Sequence, residues 1–501
     1  MRGRRSKRRA SLRAGSMLFV TGLVCAAPFL FADGAFSQGT EPSGHSRDPG
    51  EVGSPDEDTA AGRAEIPFEY SGYAEFRALV HAITEQDASS AVKKNELKAN
   101  LDMKYGNDDL YLKAVVNLYS SASLISSRLD DSYAYSRKTE IRRNFSVSSE
   151  GAETGFRELF INLKLANMRL RAGNQIFGWG TADVFNPTSY FTPYDLREVL
   201  FRADDELRQA VPSLSAMFFI GDSTLELVVV PVHIPMLLPP EGNFWEISYR
   251  EGPFPVRIEE PEGLSPGLSN AALGARYATS IAGMDMAASI YRGPDREPLF
   301  RPMRTVLVPN EPVSILVRPE YHPVTMAGLD FSMNFDRVVI QAETVYSPDR
   351  AGVVEQDYTP QVRFPFEVRT GHYVSYSAGF NYFVPLGLLL EGHEGETVLT
   401  VEWNQSRYFD GGIMAPLITD VLAVRLQDEF LGGRLKTSIT FLWDARADAT
   451  VVWPSLGWDF GNGLSLELAC ASISARERKE RSIFSFYDDN DIVTARARYA
   501  F

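Results

Sequence analysis

Apolar and polar residues alternate along short segments of this chain from Phe68 to its last residue, Phe501. The clearest segment is Glu96–Tyr105, in which every second side chain is apolar and the residues between are charged or polar. A helix would mix these two sets, whereas a β-strand places them on opposite faces. Segments of about ten residues with this pattern are typical of strands that contact lipid on one face and water on the other. The pattern therefore predicts an all-β, transmembrane antiparallel barrel.

Tight turns and longer connections alternate between these segments. We predict eight tight turns, at Gly106–Asp109, Ala166-Asn167, Gly221–Ser223, Ile281–Gly283, Asn334–Arg337, Pro385–Gly395, Phe430–Gly433 and Gly461–Gly463. Longer connections separate the resulting hairpins without exception, as expected for a bacterial outer-membrane barrel with short periplasmic turns and long external loops. Eight turns and nine hairpins predict an up-and-down barrel of about 18 strands. Sixteen strands are the alternative, because the first region and Pro385–Gly395 are the least regular.

The chain ends on an amphipathic strand. Its apolar positions are Val493, Ala495, Ala497, Tyr499 and Phe501. A C-terminal Phe on such a strand resembles the recognition signal of proteins inserted by the barrel-assembly machinery, so Tyr499 and Phe501 are candidate assembly residues. We also expect aromatic residues near the tight turns, such as Tyr105, Phe335 and Phe460, to line the periplasmic membrane interface. A soluble β-sandwich would also alternate, but it would not explain the terminal Phe together with the loop rhythm.

The N-terminal segment predicts export. Residues 1–13 hold seven basic side chains, Met17–Phe31 is almost wholly apolar, and Ala35-Phe36-Ser37 offers small residues for cleavage. This order is that of a secretory signal peptide, which we place at residues 1–37. A transmembrane anchor is the alternative, although the apolar run is short for a membrane span. Residues 38–65 are rich in Gly, Ser, Pro and acidic residues and predict a disordered acidic periplasmic leader. The barrel is then expected over residues 66–501.

Composition limits the possible classes of protein. Charged residues are 23% of the chain and hydrophobic residues 44%, without apolar runs of about 20 residues, so a bundle of membrane-spanning helices is excluded. The formal net charge of −15 argues against a role in nucleic-acid binding, because that role needs a basic surface. Removal of the signal peptide would leave a single cysteine, Cys470, so an internal disulfide is not expected.

A basic patch is the densest group of charges on the predicted inner face. The residues that we expect to line the channel on this hairpin are Glu158, Lys164, Arg169, Arg171 and Gln175. Lys164 lies opposite Arg169, and like charges across a strand pair are mildly destabilising. The patch therefore needs acids from neighbouring strands or an anionic solute. Two interpretations stay open, a lumenal salt-bridge network and a constriction that selects the solute. At the seam of the barrel, we expect Arg496 and Arg498 to pair with acids of the first strand, Glu69 and Glu75.

The next connection carries a motif. It combines Gly173 and Gln175 with Trp179-Gly180, Asp183 and Asn186-Pro187, and Pro193-Tyr194-Asp195-Leu196-Arg197 follows. This pattern resembles the signature of a family of proteobacterial outer-membrane barrels of unknown function, similar in style to alginate-export and phosphate-selective porins. The resemblance implies an outer-membrane channel or transporter. The residues that it marks in this connection are Trp179, Asp183, Asn186, Pro187, Asp195 and Arg197.

The local chemistry of the motif suggests how the chain runs. Gly178 and Gly180 flank Trp179 and allow the backbone to bend sharply, and Asn186-Pro187 is typical of a turn. The connection is therefore a candidate for folding inward over the pore. A simple structural turn is an equal alternative.

Catalytic and metal sites are not indicated. The six histidines are far apart and lack the spacing of metal ligands. Gly263–Gly267 matches the pattern of a hydrolase nucleophile elbow, but it lies in a Pro-rich loop without the strand and helix that the elbow needs. Asp488–Asp491 could hold Ca²⁺ loosely, and a solvated external loop is the favoured alternative. We predict no enzyme activity, no cofactor and no metal.

These patterns together predict a porin-like outer-membrane channel for facilitated diffusion of a small or amphipathic solute. Two other functions stay open. One is a barrel that serves as a platform for external loops 233–269 and 292–323, which would bind a partner. The other is an export channel for lipid or glycan that works with a periplasmic partner. The expected partners are the barrel-assembly machinery, through the C-terminal strand, and outer-membrane lipid.

Overall fold

The computed structural model describes most of the chain from Pro67 to its end. The described residues are 67–82, 92–121, 140–149, 152–198, 204–239, 244–246, 256–307, 309, 313–356, 363–388, 390, 392–393, 395–414, 420–476, 483–488 and 490–501. The predicted signal peptide, residues 1–37, and the predicted leader, residues 38–65, lie outside them.

The described chain is built almost wholly of strands. In chain order they are β1 (Phe68–His81), β2 (Val92–Gly106), β3 (Leu110–Ser121), β4 (Glu140–Ile141), β5 (Ser146–Ser149), β6 (Ala152–Leu165), β7 (Met168–Gln175), β8 (Val211–Ile220), β9 (Ser223–Val230), β10 (Val256–Ile258), β11 (Ala272–Ile281), β12 (Met284–Pro294), β13 (Leu299–Val306), β14 (Ser314–Glu320), β15 (Pro323–Phe335), β16 (Val338–Val353), β17 (Val368–Val384), β18 (Thr397–Tyr408), β19 (Asp420–Phe430), β20 (Leu435–Asp444), β21 (Ala449–Asp459), β22 (Leu464–Ala475) and β23 (Ile492–Ala500). Short helical segments lie at Asp204–Leu207, Leu268–Asn270, Leu386–Leu388 and Ile483–Tyr487. Among the described residues, no helix is long and apolar enough to cross a membrane.

Eighteen of these strands form a closed antiparallel barrel, which confirms the predicted fold and strand number. The last strand, β23, pairs with β1 from Tyr73 opposite Ala500 to His81 opposite Ile492. The short strands β4 and β5 add to the sheet beside β6, whereas β10, β13 and β14 form a separate three-stranded sheet. Closure satisfies the backbone hydrogen bonds of the edge strands, as a sheet that spans lipid requires.

The connections follow the predicted rhythm with one difference. Each of the eight predicted tight turns joins two barrel strands at one end of the barrel, which by outer-membrane topology is the periplasmic end. The prediction that every other connection is long is wrong for β20 and β21, which only Ala445–Asp448 joins. Two features make this turn possible: the carboxylate of Asp444 accepts the N–H groups of Arg446 and Ala447, and Asp448 adopts a positive φ of 54°.

The outer face of the barrel is apolar. Ile161, Leu214 and Leu329 point outward from three different strands and are 54–59% exposed. In water such a surface would be costly, so it is suited to contact with hydrocarbon. The aromatic residues that were expected near the tight turns are all exposed at that end of the barrel: Tyr105, Phe335, Phe460, Tyr499 and Phe501.

The inner face differs between the two ends of the barrel. Towards the tight turns it carries charged side chains that water reaches, such as Asp102 and Lys113, which form an ion pair while keeping 34% and 26% of their side-chain surface exposed. Towards the external end, the inner faces of β19–β23 are apolar and buried. Their residues in this core are Val421, Ala423, Leu442, Ala449, Val451, Ala469, Ala471, Ile473 and Ile492.

External connections fill the space in front of this apolar wall. Trp245, which is fully buried, comes from the connection between β9 and β11, and Phe300 and Val317 come from the three-stranded sheet of β10, β13 and β14. All three belong to the same buried cluster as the wall residues. External connections therefore pack the part of the external lumen in front of this wall, whereas charged side chains of the periplasmic half are accessible to water.

The C-terminal residue packs at the seam. Gly72 and Phe501 exchange two backbone hydrogen bonds, of 3.0 and 2.9 Å. A Cβ atom on Gly72 would lie 2.4 Å from the carbonyl oxygen of Asn100 and 3.0 Å from the Phe501 ring. Only glycine therefore leaves room for both neighbours.

We predict that Gly72→Ala weakens the closed barrel by about 1–3 kcal/mol, because the added methyl group must displace a backbone oxygen. The temperature at which the folded form is lost on denaturing gels should fall. Gly457→Ala is the matched control, since a Cβ there would meet its nearest neighbour at 3.6 Å. An equal loss in both variants would contradict the steric account.

A histidine holds two external connections together. The His233 ring packs edge-on against Tyr321 at 4.3 Å, and its Nδ1 accepts the N–H of Leu264 at 3.3 Å. Burial, and then the nearby guanidinium of Arg143, lower the pKa of His233 to about 4. The neutral ring is the form that can accept this hydrogen bond.

This contact predicts a pH dependence. The folded pKa lies below that of a free histidine, so the contact is fully present above about pH 6.5 and is lost as the pH falls towards 4. Hydrogen-exchange protection around Leu264, corrected for intrinsic rates, should decline over that range. In His233→Gln the decline should disappear, and a decline that persists in this variant would assign it to another group.

Candidate functional site in the barrel lumen

The connection between β7 and β8 folds into the barrel. Its described residues are 176–198 and 204–210, which we call the crossing segment. Most of its side chains are buried, among them Trp179, Phe185, Tyr190 and Leu196. The structure thus places the predicted motif inside the lumen instead of in an external loop.

Two carboxylates on the barrel wall hold the first part of this segment. Glu402 of β18 accepts the backbone N–H groups of Asp183 and Val184, each at 3.0 Å, and of Phe185 at 2.6 Å. Ser377 of β17 donates to the same carboxylate at 2.7 Å. Hydrogen bonds to a charged acceptor contribute about 1.5–3 kcal/mol each. Glu402 therefore fixes three successive residues of the segment to the wall.

Glu343 of β16 holds the neighbouring part. It accepts the N–H groups of Thr181 and Ala182 through one oxygen, and the hydroxyl of Thr188 at 2.8 Å through the other. Gly180 passes close to this carboxylate with a φ of +107°, and a Cβ there would lie 2.4 Å from Glu343 Oε1. The glycine that the sequence marks as a bend is thus needed for the approach of the backbone to Glu343.

The other end of the crossing segment is attached to the opposite wall. Glu206 accepts from Arg77 of β1, with 2.6 Å between Arg77 Nη1 and Glu206 Oε2, and it also pairs with Lys98 of β2. Glu198 pairs with Lys94 of β2. Around the ring of 18, β2 is the second strand and β16 the eleventh, so these walls face each other. The segment therefore spans the lumen.

Aromatic side chains fix the segment to a third part of the wall. Trp179 donates its indole N–H to Glu226 of β9 at 2.8 Å and packs edge-on against Phe191 at 5.1 Å. Tyr190 stacks on Tyr291 of β12 with ring centres 5.4 Å apart. Trp179 is thus a packing residue whose indole makes one polar contact among the described residues.

The remaining motif residues have structural contacts. Asp183 accepts from the amide of Asn381 of β17, and Asn186, which precedes Pro187, accepts the N–H of Ser189 at 3.3 Å in a turn. The guanidinium of Arg197 bridges Asp195 and Glu153 of β6, with 2.7 Å between Arg197 Nη1 and Glu153. All of these contacts position the segment.

The basic patch lies apart from the wall contacts at Glu343 and Glu402. Lys164 lies opposite Arg169 in the register of β6 and β7, beside the tight turn at Ala166-Asn167. Arg171 donates a hydrogen bond to the side chain of Asn162 at 3.2 Å. Glu158 accepts the N–H of Ile176 at 3.3 Å. Gln175 hydrogen-bonds to Ser213 and Ser215 of β8. The sequence grouped these residues, but the structure distributes them along the height of the wall.

The seam pairing is as expected for one acid and wrong for the other. Arg498 pairs with Glu75, whereas Glu69 lies 3.4 Å from Lys104 of β2 and Arg496 lies 3.6 Å from Glu467 of β22. The register places Glu75 opposite Arg498. Glu69 lies six positions nearer the tight-turn end, beyond the part of β1 that pairs with β23, so it does not reach either arginine.

Sequence reasoning missed the residues that hold the crossing segment. Glu343 and Glu402 each lie five positions after the first residue of their strand, on the inner face. That shared depth was a signal in the sequence: two inward acids at one level of the barrel.

The fold and lumen define a porin-like β-barrel of the outer-membrane type, with one connection folded across its interior. The chain belongs to the family described as "Protein of unknown function (DUF1302)", whose profile matches residues 33–427. No protein of curated function matches the sequence. The resemblance to alginate-export and phosphate-selective porins stays a prediction.

Solved structures of porins are similar in shape. OccAB3 of Acinetobacter baumannii has 10% identity and a TM-score of 0.46, over 87% of this chain and 99% of that chain. OccK2 of Pseudomonas aeruginosa has 10% identity and a TM-score of 0.46, over 87% and 97%. OmpF of Salmonella typhi has 10% identity and a TM-score of 0.39, over 87% and 98%.

We predict that Glu402→Gln releases the segment locally, because an uncharged amide cannot accept three N–H groups as strongly as a carboxylate. Hydrogen exchange at residues 183–185 should accelerate about ten-fold or more. Glu429→Gln is the matched control, since Glu429 lies on the inner face of β19 and remains 47% exposed. Unchanged exchange in Glu402→Gln would show that packing alone holds the segment.

Proposed function

We propose that this protein is an outer-membrane channel through which a small solute diffuses, and that the crossing segment sets the width of the passage. The observation that carries the proposal is the bridge between opposite walls, held by Glu343 and Glu402 on one side and by Glu206 on the other. A structural plug needs no water-accessible charges beneath it. Here the lumen below the bridge is lined with such charges.

The gradient of exposure along the lumen supports this proposal. The side chain of Arg498, near the tight-turn end, is 38% exposed, whereas that of Arg77, further along the same seam, is 0% exposed. The side chain of Lys436 on β20, three strands from β23 and near the same end, is 58% exposed. Charged side chains that water reaches are expected in a conducting vestibule, and they are costly in a dry interior.

Ionic and hydrogen-bonded anchors suit a segment that regulates passage. The contacts of Glu343 and Glu402 with backbone N–H groups can be exchanged for water, so the segment can be released without breaking the barrel wall. Connections 233–269 and 292–323, which were candidates for a partner-binding platform, place Trp245 and Phe300 in the buried cluster. These apolar side chains therefore pack inside the barrel at its external end and are not free to bind a partner.

The test is the conductance of the refolded chain, residues 38–501, in planar bilayers. We expect discrete open steps, because charged side chains that water reaches line the periplasmic half of the lumen. The double variant Glu343→Gln/Glu402→Gln should give larger or longer open steps, since it frees the segment. Glu429→Gln should conduct as the unaltered chain does.

A fully inserted, heat-resistant barrel that stays silent in both the unaltered chain and the double variant would overturn the channel. A silent unaltered chain with a conducting double variant would identify the segment as a closed gate. Both barrels must first show the same folded mobility on denaturing gels.

A further inference from the structure

Cations outnumber acids in one group of side chains on the lumen wall. Lys164 and Arg169 face each other across β6 and β7, and Arg171 follows two positions after Arg169 on the same face. Within the part of the chain that the structure describes, neither Lys164 nor Arg169 has an ion pair, and neither side chain has a hydrogen-bond acceptor. We call Lys164, Arg169 and Arg171, with Phe160 and Phe219, the vestibule patch.

Two of the nearest acids are already engaged, and a third, Asp109, lies opposite Lys164, whose backbone N–H donates to its carbonyl oxygen at 2.6 Å. Glu226 of β9 accepts the indole N–H of Trp179 at 2.8 Å, and Asp330 of β15 pairs with Arg276 at 2.8 Å. Glu158 is on the same strand as Lys164, but it is about 13 Å from the level of Arg171 and accepts a backbone N–H. The three cations therefore keep an excess of positive charge, even with Glu226 near Arg171 and Asp109 near Lys164.

The patch also has more donors than acceptors. The side-chain oxygen of Asn162 accepts from Arg171 Nε at 3.2 Å, while its amide nitrogen, in a residue that is 1% exposed, has no acceptor among the described residues. Buried donors without acceptors are costly. A bound carboxylate would supply the missing acceptors, and guanidinium groups bind carboxylates through two parallel hydrogen bonds.

Apolar surface lies beside these donors. The guanidinium carbon of Arg171 is 5.2 Å from the ring centre of Phe160, and that of Arg169 is 5.7 Å from the ring centre of Phe219. Met217, opposite Arg169 on β8, adds a third apolar side chain. Such side chains are unusual on a wall that water reaches, and they would contact the apolar part of an anion whose charged end binds the arginines.

We propose that the vestibule patch binds small carboxylates that carry an aromatic or apolar group. This inference rests on the proposed function and deepens it, since it names the class of solute that diffuses through the periplasmic half of the channel. Hydrophobic contact selects the apolar group, and the three cations select the negative charge.

The test is calorimetric binding of benzoate, acetate and benzyl alcohol to the refolded, detergent-solubilised barrel, residues 38–501. We expect benzoate to bind at least about ten-fold more tightly than either acetate or benzyl alcohol. Arg169→Gln/Arg171→Gln should weaken benzoate at least about ten-fold, and Phe219→Ser should reduce benzoate to the level of acetate. Lys436→Gln, an inward cation on the far wall, is the matched control and should leave the binding of benzoate unchanged.

Equal binding of the three probes, or equal loss in Lys436→Gln and in the arginine variant, would overturn the site. Because binding is measured without current, the two proposals fail separately. If the unaltered chain and Glu343→Gln/Glu402→Gln both stay silent while the barrel binds benzoate selectively, the site is kept and the channel is removed. A conducting barrel that does not distinguish benzoate from acetate would keep the channel and remove the site. Each variant must keep the heat-dependent mobility of the folded barrel.

Discussion

The whole structure depends on one requirement, that every backbone N–H and C=O in the lipid-facing wall finds its partner inside the sheet. Hydrocarbon offers no replacement for a missing hydrogen bond, so the sheet must close. Closure with 18 strands has a geometric consequence: the lumen is too wide for the side chains of the wall to fill it. The interior must then hold water, a folded-in connection, or both, and in this protein it holds both.

The division of the lumen follows from the residues on the inner face. Alanine and branched apolar side chains on β19–β23 cannot face water cheaply, so external connections pack against them. Charged residues nearer the tight turns cannot be buried cheaply, so that half stays wet. The crossing segment lies at the boundary between the packed and the wet part. Its backbone N–H groups have no strand partner and donate instead to carboxylates of the wall.

The sequence predicts the barrel well and the site only in part. Strand number and facing residues follow from the alternation, because a strand shows its two faces in adjacent residues. Contacts across the lumen do not follow, because Glu402 and Phe185 are 217 positions apart and meet only after the ring has closed. The motif around Trp179 was visible in the sequence as a set of bends. The carboxylates that accept its backbone N–H groups, Glu343 and Glu402, were visible only as one inward acid on each of two strands.

The seam adds a temporal consequence. Glu75 and Arg498 are separated by 423 positions and lie on the two strands that close the ring, so the ring cannot close before β23 has been made. Until then β1 presents an unpaired edge, which is prone to pair with other chains. A long-range closing contact of this kind is slow to form. The nascent protein must therefore be kept apart from its neighbours during transit, and a chain shortened by a single strand would stay an open, adhesive sheet.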